Sequence, residues 1–121
     1  MDNLKNKQFI SLKNNRDFRK IYKYGYSAAD KNIVIYKLKN KSSNELRIGF
    51  TVSKKIGNAV IRNKVKRKLK EISRLNIDQF DNFFNYIIIA RIPSSECTYK
   101  QLEYSVYKVL KRLKKRELKN G

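Results

Sequence analysis

Residues 47–74 read RIGFTVSKKIGNAVIRNKVKRKLKEISR, and the patterns in this stretch decide the fold. At its start, apolar residues (Leu46, Ile48, Phe50, Val52) alternate with small or polar ones (Arg47, Gly49, Thr51, Ser53). A strict alternation predicts a strand that is buried on one face only. Gly57 then interrupts the pattern, and Asn58 is a suitable N-cap for a following helix. The stretch therefore predicts a strand, a turn and a helix.

The helix predicted from Asn58 to about Leu75 has two chemically different sides. At about 100° per residue, its apolar side consists of Ile61, Val65, Leu69 and Ile72. A second side carries Arg62, Asn63, Lys66, Arg67 and Lys70. Like charges four residues apart repel by roughly 0.2–0.5 kcal/mol per pair, and only Glu71 is nearby to relieve this. The repetition indicates an external polyanion with regularly spaced phosphates. The alternative is an ordinary solvated helix face.

The flanking residues predict the remaining elements of one α+β domain over residues 1–121. A helix is expected from Asn14 or Asn15 to about Tyr24, where Gly25 ends it. Residues 33–38 (IVIYKL) are β-branched and aromatic and predict a strand. We expect this strand to form a hairpin with the alternating strand that follows.

The last part of the chain predicts a central strand and a closing helix. Residues 86–92 (YIIIARI) form a run that is apolar except for Arg91, which is typical of a strand buried on both faces. The closing helix is expected from about Thr98 to Lys115, with a structural role favoured over a membrane-surface or calmodulin-like one. The order is helix, two or three strands, helix, strand, helix. Residues 1–12 and 116–121 are expected to be flexible.

Composition excludes several classes of function. The 121 residues include 30 Lys and Arg against 10 Asp and Glu, a net charge of +20 that calls for a neutralising partner. There is no His, and Cys97 is the only Cys, so His-based catalysis, an internal disulfide and a Cys-cluster zinc site are excluded. The only close carboxylate pair in a loop is Asp78 and Asp81, too few for a metal nuclease. We therefore predict no catalytic and no metal-binding residues.

The chain also has no membrane-spanning stretch and no recognisable signal peptide. No run reaches the roughly 18 apolar residues that a spanning helix needs. The first residues, MDNLKNKQFISLKNN, contain neither an apolar core nor a cleavage site. We expect a cytoplasmic protein without a membrane partner.

A second candidate site is aromatic. Phe18 and Tyr22 share one face of the first predicted helix, and Tyr36 lies on an adjacent predicted strand. If that helix covers the sheet incompletely, these rings line a cleft, with Lys54 and Arg91 nearby. Rings and cations together suit single-stranded nucleic acid, in which bases stack on rings and cations follow the backbone. The same spacing also fits ordinary core residues.

Residues 47–74 closely resemble the signature of the bacterial ribonuclease P protein family. The residues that carry the resemblance are Gly57, Ala59, Val60, Arg62, Asn63, Lys66 and Arg67. The similarity extends over roughly residues 11–115. It implies a two-layer αβββαβα sandwich with a mainly antiparallel four-stranded sheet, as in the second domain of a small-subunit ribosomal protein. It also implies a left-handed βαβ crossover, against the general right-handed rule.

The resemblance further implies a function in RNA processing. Members of the family bind a large catalytic RNA, which uses Mg²⁺ to remove the 5′ leader of precursor tRNA, and the protein performs no bond chemistry. By this resemblance the catalytic RNA contacts Arg62, Asn63, Lys66, Arg67 and Lys70. The leader contacts Phe18, Tyr22, Tyr36, Lys54 and Arg91. We expect a monomer that binds one RNA and no cofactor of its own. Lys70 stands where relatives often have Arg, which removes one bidentate donor.

Two other functions remain open from the sequence. A ribosomal or general RNA-structuring protein would share the charge and the α+β pattern but would need no leader cleft. A protein-only nuclease would cleave without an RNA subunit, and the scarcity of acidic clusters argues against it.

Overall fold

A computed structural model describes residues 7–40 and 44–120 of the chain. The elements in chain order are β1 (Ile10–Ser11), α1 (Asn15–Tyr24), β2 (Tyr26–Ala29), β3 (Ile33–Lys39), β4 (Arg47–Thr51), α2 (Ala59–Leu75), β5 (Phe84–Ala90) and α3 (Tyr99–Asn120). Asn14 caps α1 and Asn58 caps α2, each through its side-chain oxygen. The predicted α+β class and the order from α1 to α3 are confirmed. The polar sequence NKSSN over residues 40–44 predicts a turn after β3, and residues 41–43 of it lie outside the described residues.

The described strands form one mixed sheet in the order β1-β4-β5-β3-β2. β4 pairs in parallel with both β1 and β5, whereas β3 pairs antiparallel with β5 and with β2. The sheet has five strands rather than the expected four because the two-residue β1 adds to its edge. β4 and β5 pair in parallel and are joined through α2, which confirms the expected βαβ unit. The left hand of this crossover stays a prediction.

The expected hairpin between β3 and β4 is wrong, because β5 lies between these two strands. Ile88 pairs with Ile35 of β3 on one side and with Phe50 of β4 on the other. A strand that is apolar on both faces is best buried at the centre of a sheet, and this position requires a neighbour on each side. The hairpin partner of β3 is the short edge strand β2, whose sequence YSAA gives little strand signal.

Helices cover both faces of the sheet and create two apolar clusters. Tyr86 and Ile88 of β5 belong to the larger cluster, beneath α2 and α3. Ile87 belongs to the smaller one, together with Ile21 of α1 and Leu12. The prediction that this strand is buried on both faces is therefore confirmed, although it begins and ends two residues earlier than expected.

α2 buries Val65, Leu69 and Ile72 as predicted, but Ile61 is 38% exposed. The expectation for Ile61 is wrong because the first turn of α2 lies outside the core, and Val60 is also exposed. Ile61 lies beside Gly57, where an added Cβ would meet its side chain at 3.1 Å. Gly57 has a φ of 153°, a conformation that side-chain-bearing residues rarely adopt.

Ordered structure extends into both segments that were expected to be flexible. Residues 10–11 pair with β4, and Leu12 is buried. At the other end α3 continues beyond Lys115, because Glu117 forms an ion pair with the buried Lys37 at 2.8 Å. Residues 1–6 and 121 lie outside the described residues.

Candidate nucleic-acid interface

α2 presents a row of polar and cationic side chains, here called the α2 ridge: Arg62, Asn63, Lys66, Arg67 and Lys70. All except Arg62 are exposed, and Arg62 is half-buried with its Nε donating to the Gly57 carbonyl at 3.2 Å. The opposite side of the helix packs into the core through Val65 and Leu69. The structure therefore brings these predicted residues together on one anchored surface.

The α2 ridge has no counter-charge within the described part of the protein. None of its cations lies within 4.0 Å of a carboxylate there. Glu71 instead pairs with Arg74 at 2.8 Å, and the hydrogen bond from Arg74 lowers the pKa of Glu71. Since the protein leaves this row uncompensated, an external polyanion is its natural partner.

The cationic surface is wider than the sequence indicated. Lys66 and Lys70 share a small recess of about 50 Å³ with Lys13, Ser11 and Phe50. Lys13 lies just after β1, and only the parallel pairing of β1 with β4 brings it beside α2. No local pattern reveals this neighbour, because the contact depends on the register of two distant strands.

The three predicted rings form one cluster on the opposite face of the sheet. The centroids of Phe18 and Tyr22 are 6.4 Å apart, and those of Tyr22 and Tyr36 are 5.0 Å apart with perpendicular planes. The Tyr22 hydroxyl lies 3.3 Å from Oγ1 of Thr51. Phe18 and Tyr36 also pack against the smaller apolar cluster. The rings are thus both part of the core and accessible, since Tyr22 is 39% exposed.

α1 covers only part of this sheet face and leaves a shallow floor beside the rings. The strand register places Ser27, Ala29, Val34, Thr51 and Ile89 on the same face as Tyr36. All of these residues are only half-buried. We call this floor and the three rings the α1 cleft.

Lys54 and Arg91 lie where the parallel strands β4 and β5 end. Thr51 pairs with Ile89, so the residues that follow them emerge at the same end of the sheet. Both cations are exposed, and Arg91 donates to the Asp30 carbonyl at 3.0 Å. A groove of about 510 Å³ is lined by Arg91 and by two further lysines, Lys31 and Lys55.

Asp81, one member of the acidic loop pair, is engaged by a lysine. Asp81 accepts a hydrogen bond from Lys37 at 2.7 Å. Burial alone would raise the pKa of Asp81, but the hydrogen bond and charge of Lys37 outweigh it and the net pKa is lowered. Over residues 7–40 and 44–120, no three His, Cys, Asp or Glu side chains cluster as metal ligands would.

No helix in this part of the chain is long and apolar enough to cross a membrane.

An uncompensated cationic helix on one face and half-exposed rings on the other are typical of a nucleic-acid-binding protein. Comparison with known proteins defines the class further. The Ribonuclease P family model matches residues 6–114, and the chain belongs to this family.

Relatives and solved structures agree with this assignment. The ribonuclease P protein component of Clostridioides difficile (strain 630) is 47% identical over 102 residues, which cover 84% of this chain and 89% of that protein. The corresponding component of Desulforamulus reducens is 42% identical over 111 residues, covering 92% and 97%. The structure of the Staphylococcus aureus RNase P protein superposes with a TM-score of 0.81 at 39% identity, covering 88% of this chain and 97% of that one. The Thermotoga maritima RNase P protein gives a TM-score of 0.76 at 32% identity, covering 85% and 96%.

Membership in this family gives the protein a role in tRNA 5′ processing. As a component of the ribonuclease P ribonucleoprotein, it is an RNA-binding protein whose partner is the ribonuclease P RNA.

Proposed function

We propose that this protein is a non-catalytic subunit that docks on a catalytic RNA and holds the 5′ leader of precursor tRNA for cleavage. The α2 ridge binds the ribonuclease P RNA, and the α1 cleft with Lys54 and Arg91 binds the leader. The RNA performs the Mg²⁺-dependent cleavage, and the protein binds no cofactor of its own. One monomer serves each RNA. The observation that carries the proposal is the anchored row of α2 cations, which has no carboxylate partner among the described residues.

The geometry of the α2 ridge supports binding to a folded RNA backbone. A rigid row of cations loses little conformational entropy on docking, because the helix is already held by its buried side. Arg62 and Arg67 can each grip a phosphate through two parallel hydrogen bonds, whereas Lys66 and Lys70 act as point charges. Binding through such contacts weakens with salt, by a slope of roughly 0.7–0.9 per phosphate on logarithmic axes.

The α1 cleft supports binding to a single strand. Tyr22 and Tyr36 stand perpendicular, so a base that stacks on one ring meets the edge of the other. Stacking of one base on an aromatic side chain contributes roughly 1–3 kcal/mol. A duplex cannot offer unstacked bases, so the cleft suits the leader better than the folded body of tRNA.

A complementation assay at low Mg²⁺ tests the proposed function. Ribonuclease P RNA is mixed with precursor tRNA at a Mg²⁺ concentration at which the RNA alone cleaves poorly, and the protein is then added. We expect cleavage to be restored by the wild-type protein and not by the protein without the RNA. Cleavage by the protein alone, or no stimulation of the RNA, would contradict the proposal. Equal stimulation of precursors with a long leader and with a leader of one or two nucleotides would favour a general RNA-structuring protein.

A further inference from the structure

α1 divides its sheet face into two parts, and only one of them is the α1 cleft. On the opposite side of the helix lies a recess of about 430 Å³, here called the Tyr24 recess. Its walls include Lys20 and Tyr24 of α1, Leu38 and Lys39 of β3, and Arg47 of β4. This volume falls in the range of roughly 300–1,000 Å³ that is usual for ligand sites.

The Tyr24 recess is separate from the α1 cleft. Ile21 is 1% exposed and packs in the apolar cluster that contains Ile87, so the helix is sealed against the sheet along its midline. Because side chains turn by about 100° per residue, Phe18 and Tyr22 project to one side of this seal and Tyr24 to the other. A ligand in the recess therefore does not compete directly with one on the rings of the α1 cleft.

The chemistry of the recess resembles that of a nucleotide site. Tyr24 is 63% exposed and lines the recess together with Leu38, so a base in the recess would meet an aromatic ring and an apolar side chain. Lys20 and Lys39 lie within 4.0 Å of no carboxylate in the described chain, whereas Arg47 is held by Glu45 at 2.9 Å. Asp17 is the one acidic residue among the described residues of the wall, and its carboxylate is an acceptor for a sugar hydroxyl.

We propose that the Tyr24 recess binds one unpaired RNA nucleotide, with its base against Tyr24 and Leu38 and its phosphate on Lys20 and Lys39. This inference rests on the proposed function, because the nucleotide comes either from the precursor leader or from the catalytic RNA. Both sources offer the same chemistry: an aromatic base, a ribose hydroxyl and a phosphate. Asp17 favours RNA over DNA, since only RNA has a 2′-hydroxyl to donate.

The test compares Lys20→Ala and Tyr24→Ala with the control Arg16→Ala. Arg16 lies one turn before Lys20 on the same helix, is exposed and does not line the recess. In one arm, affinity for the catalytic RNA is measured. In the other, the assembled holoenzyme binds precursors with leaders of increasing length and mature tRNA. We expect each recess variant to bind at least about fivefold more weakly in one arm, from the loss of stacking or of a phosphate contact. The control should change by less than about twofold.

The two arms identify the source of the nucleotide. If the recess variants bind precursor tRNA more weakly only when the leader exceeds a certain length, the nucleotide in the recess comes from the leader. A loss of affinity for the catalytic RNA, independent of the leader, assigns a nucleotide of that RNA. If both recess variants match Arg16→Ala in both arms, the inference is overturned. Tyr36→Ala is measured in parallel. If it weakens precursor binding while both recess variants do not, only the nucleotide site in the Tyr24 recess is excluded, and leader binding in the α1 cleft still stands.

Discussion

Lys37 and the lysines of the α2 ridge carry the same charge in opposite surroundings. Lys37 is 1% exposed, and its Nζ lies 2.7 Å from Asp81 and 2.8 Å from Glu117. It also stands over the ring of Phe84, 4.4 Å from the centroid. Lys66 and Lys70 are exposed and have no carboxylate within 4.0 Å in the part of the chain described by the structure.

The difference shows how a chain with few acidic residues separates stability from binding. Burying a cation without partners is costly, so carboxylates are needed inside the fold. Asp81 and Glu117 pair with Lys37, and Asp30 lies 3.5 Å from Lys108 of α3. An exposed cation needs no such partner to remain stable. The α2 ridge is therefore left with its full charge for RNA.

The largest expected effect is on stability, when the buried cation is removed. Lys37→Met leaves Asp81 and Glu117 without their shared partner and removes the ion pair that joins Glu117 of α3 to β3. Removal of one partner of a buried pair costs about 3–5 kcal/mol, and the lower end applies because both carboxylates are partly exposed. Urea unfolding at pH 7 measures the free energy. Lys66→Met is the matched control and should change it by less than about 0.5 kcal/mol. If the free energy of unfolding fell equally in the two variants, the buried Lys37 would stabilise the fold no more than the exposed Lys66 does.

The next effect is on assembly, when the α2 ridge is altered. Arg67→Ala should weaken binding of the ribonuclease P RNA by about tenfold at moderate salt, because a charge-assisted contact to phosphate is lost. Its free energy of unfolding should be unchanged, since Arg67 is exposed. Filter binding or fluorescence titration of labelled RNA measures the affinity. Wild-type affinity in this variant would exclude Arg67 from the interface.

A smaller effect is expected in the α1 cleft, and it should be confined to one substrate. Tyr36→Ala removes a stacking partner and should weaken binding of precursor tRNA to the holoenzyme by about fivefold, without changing mature tRNA. Tyr36→Phe keeps the ring and should bind as the wild type does. Because Tyr36 also packs against the smaller apolar cluster, unfolding is followed in both variants. A loss that is equal for both tRNAs would contradict leader binding.

The smallest effect is the pH dependence of the Lys37 cluster. The pKa of Asp81 lies below its ordinary value of 3.8, so its contribution to stability is present above that value and is lost as pH falls through the lowered pKa. The pKa of Lys37 lies above 10.5, so its contribution is lost only as pH rises beyond that value. Urea midpoints between pH 5 and 2 should fall in the wild type more steeply than in Lys37→Met. If the urea midpoints of the two proteins fell in parallel with pH, the ionisation of Asp81 would not be coupled to Lys37.

Local patterns predicted the elements well but not their arrangement. The caps and the 3.6-residue spacing located α1 and α2, and the run YIIIA located a central strand. Strand pairing depends on contacts between distant segments, so the place of β5 between β3 and β4 could not be read locally. The short β2 lacks a strong pattern because its residues are only half-buried at the sheet edge.

The candidate surfaces were predicted to different extents. The α2 ridge follows from the spacing within one helix and needed no tertiary information. The cluster of Phe18, Tyr22 and Tyr36 needed the packing of α1 on β3, which spacing alone left open. Lys37 went unnoticed although a signal was present. Side chains alternate along a strand, so Lys37 points to the same face as Ile33 and Ile35, the residues of β3 that face the main core.

The salt dependence of RNA binding tests most directly whether the α2 ridge docks the catalytic RNA. Affinity for ribonuclease P RNA is measured over a range of salt for the wild type and for the combined variant Lys66→Ala, Arg67→Ala, Lys70→Ala. The matched control removes three exposed cations of α3, Lys100, Lys111 and Lys115. We expect the logarithmic salt slope to become shallower by about 2 in the α2 variant and to stay nearly constant in the control. Equal slopes for the two variants would contradict this expectation.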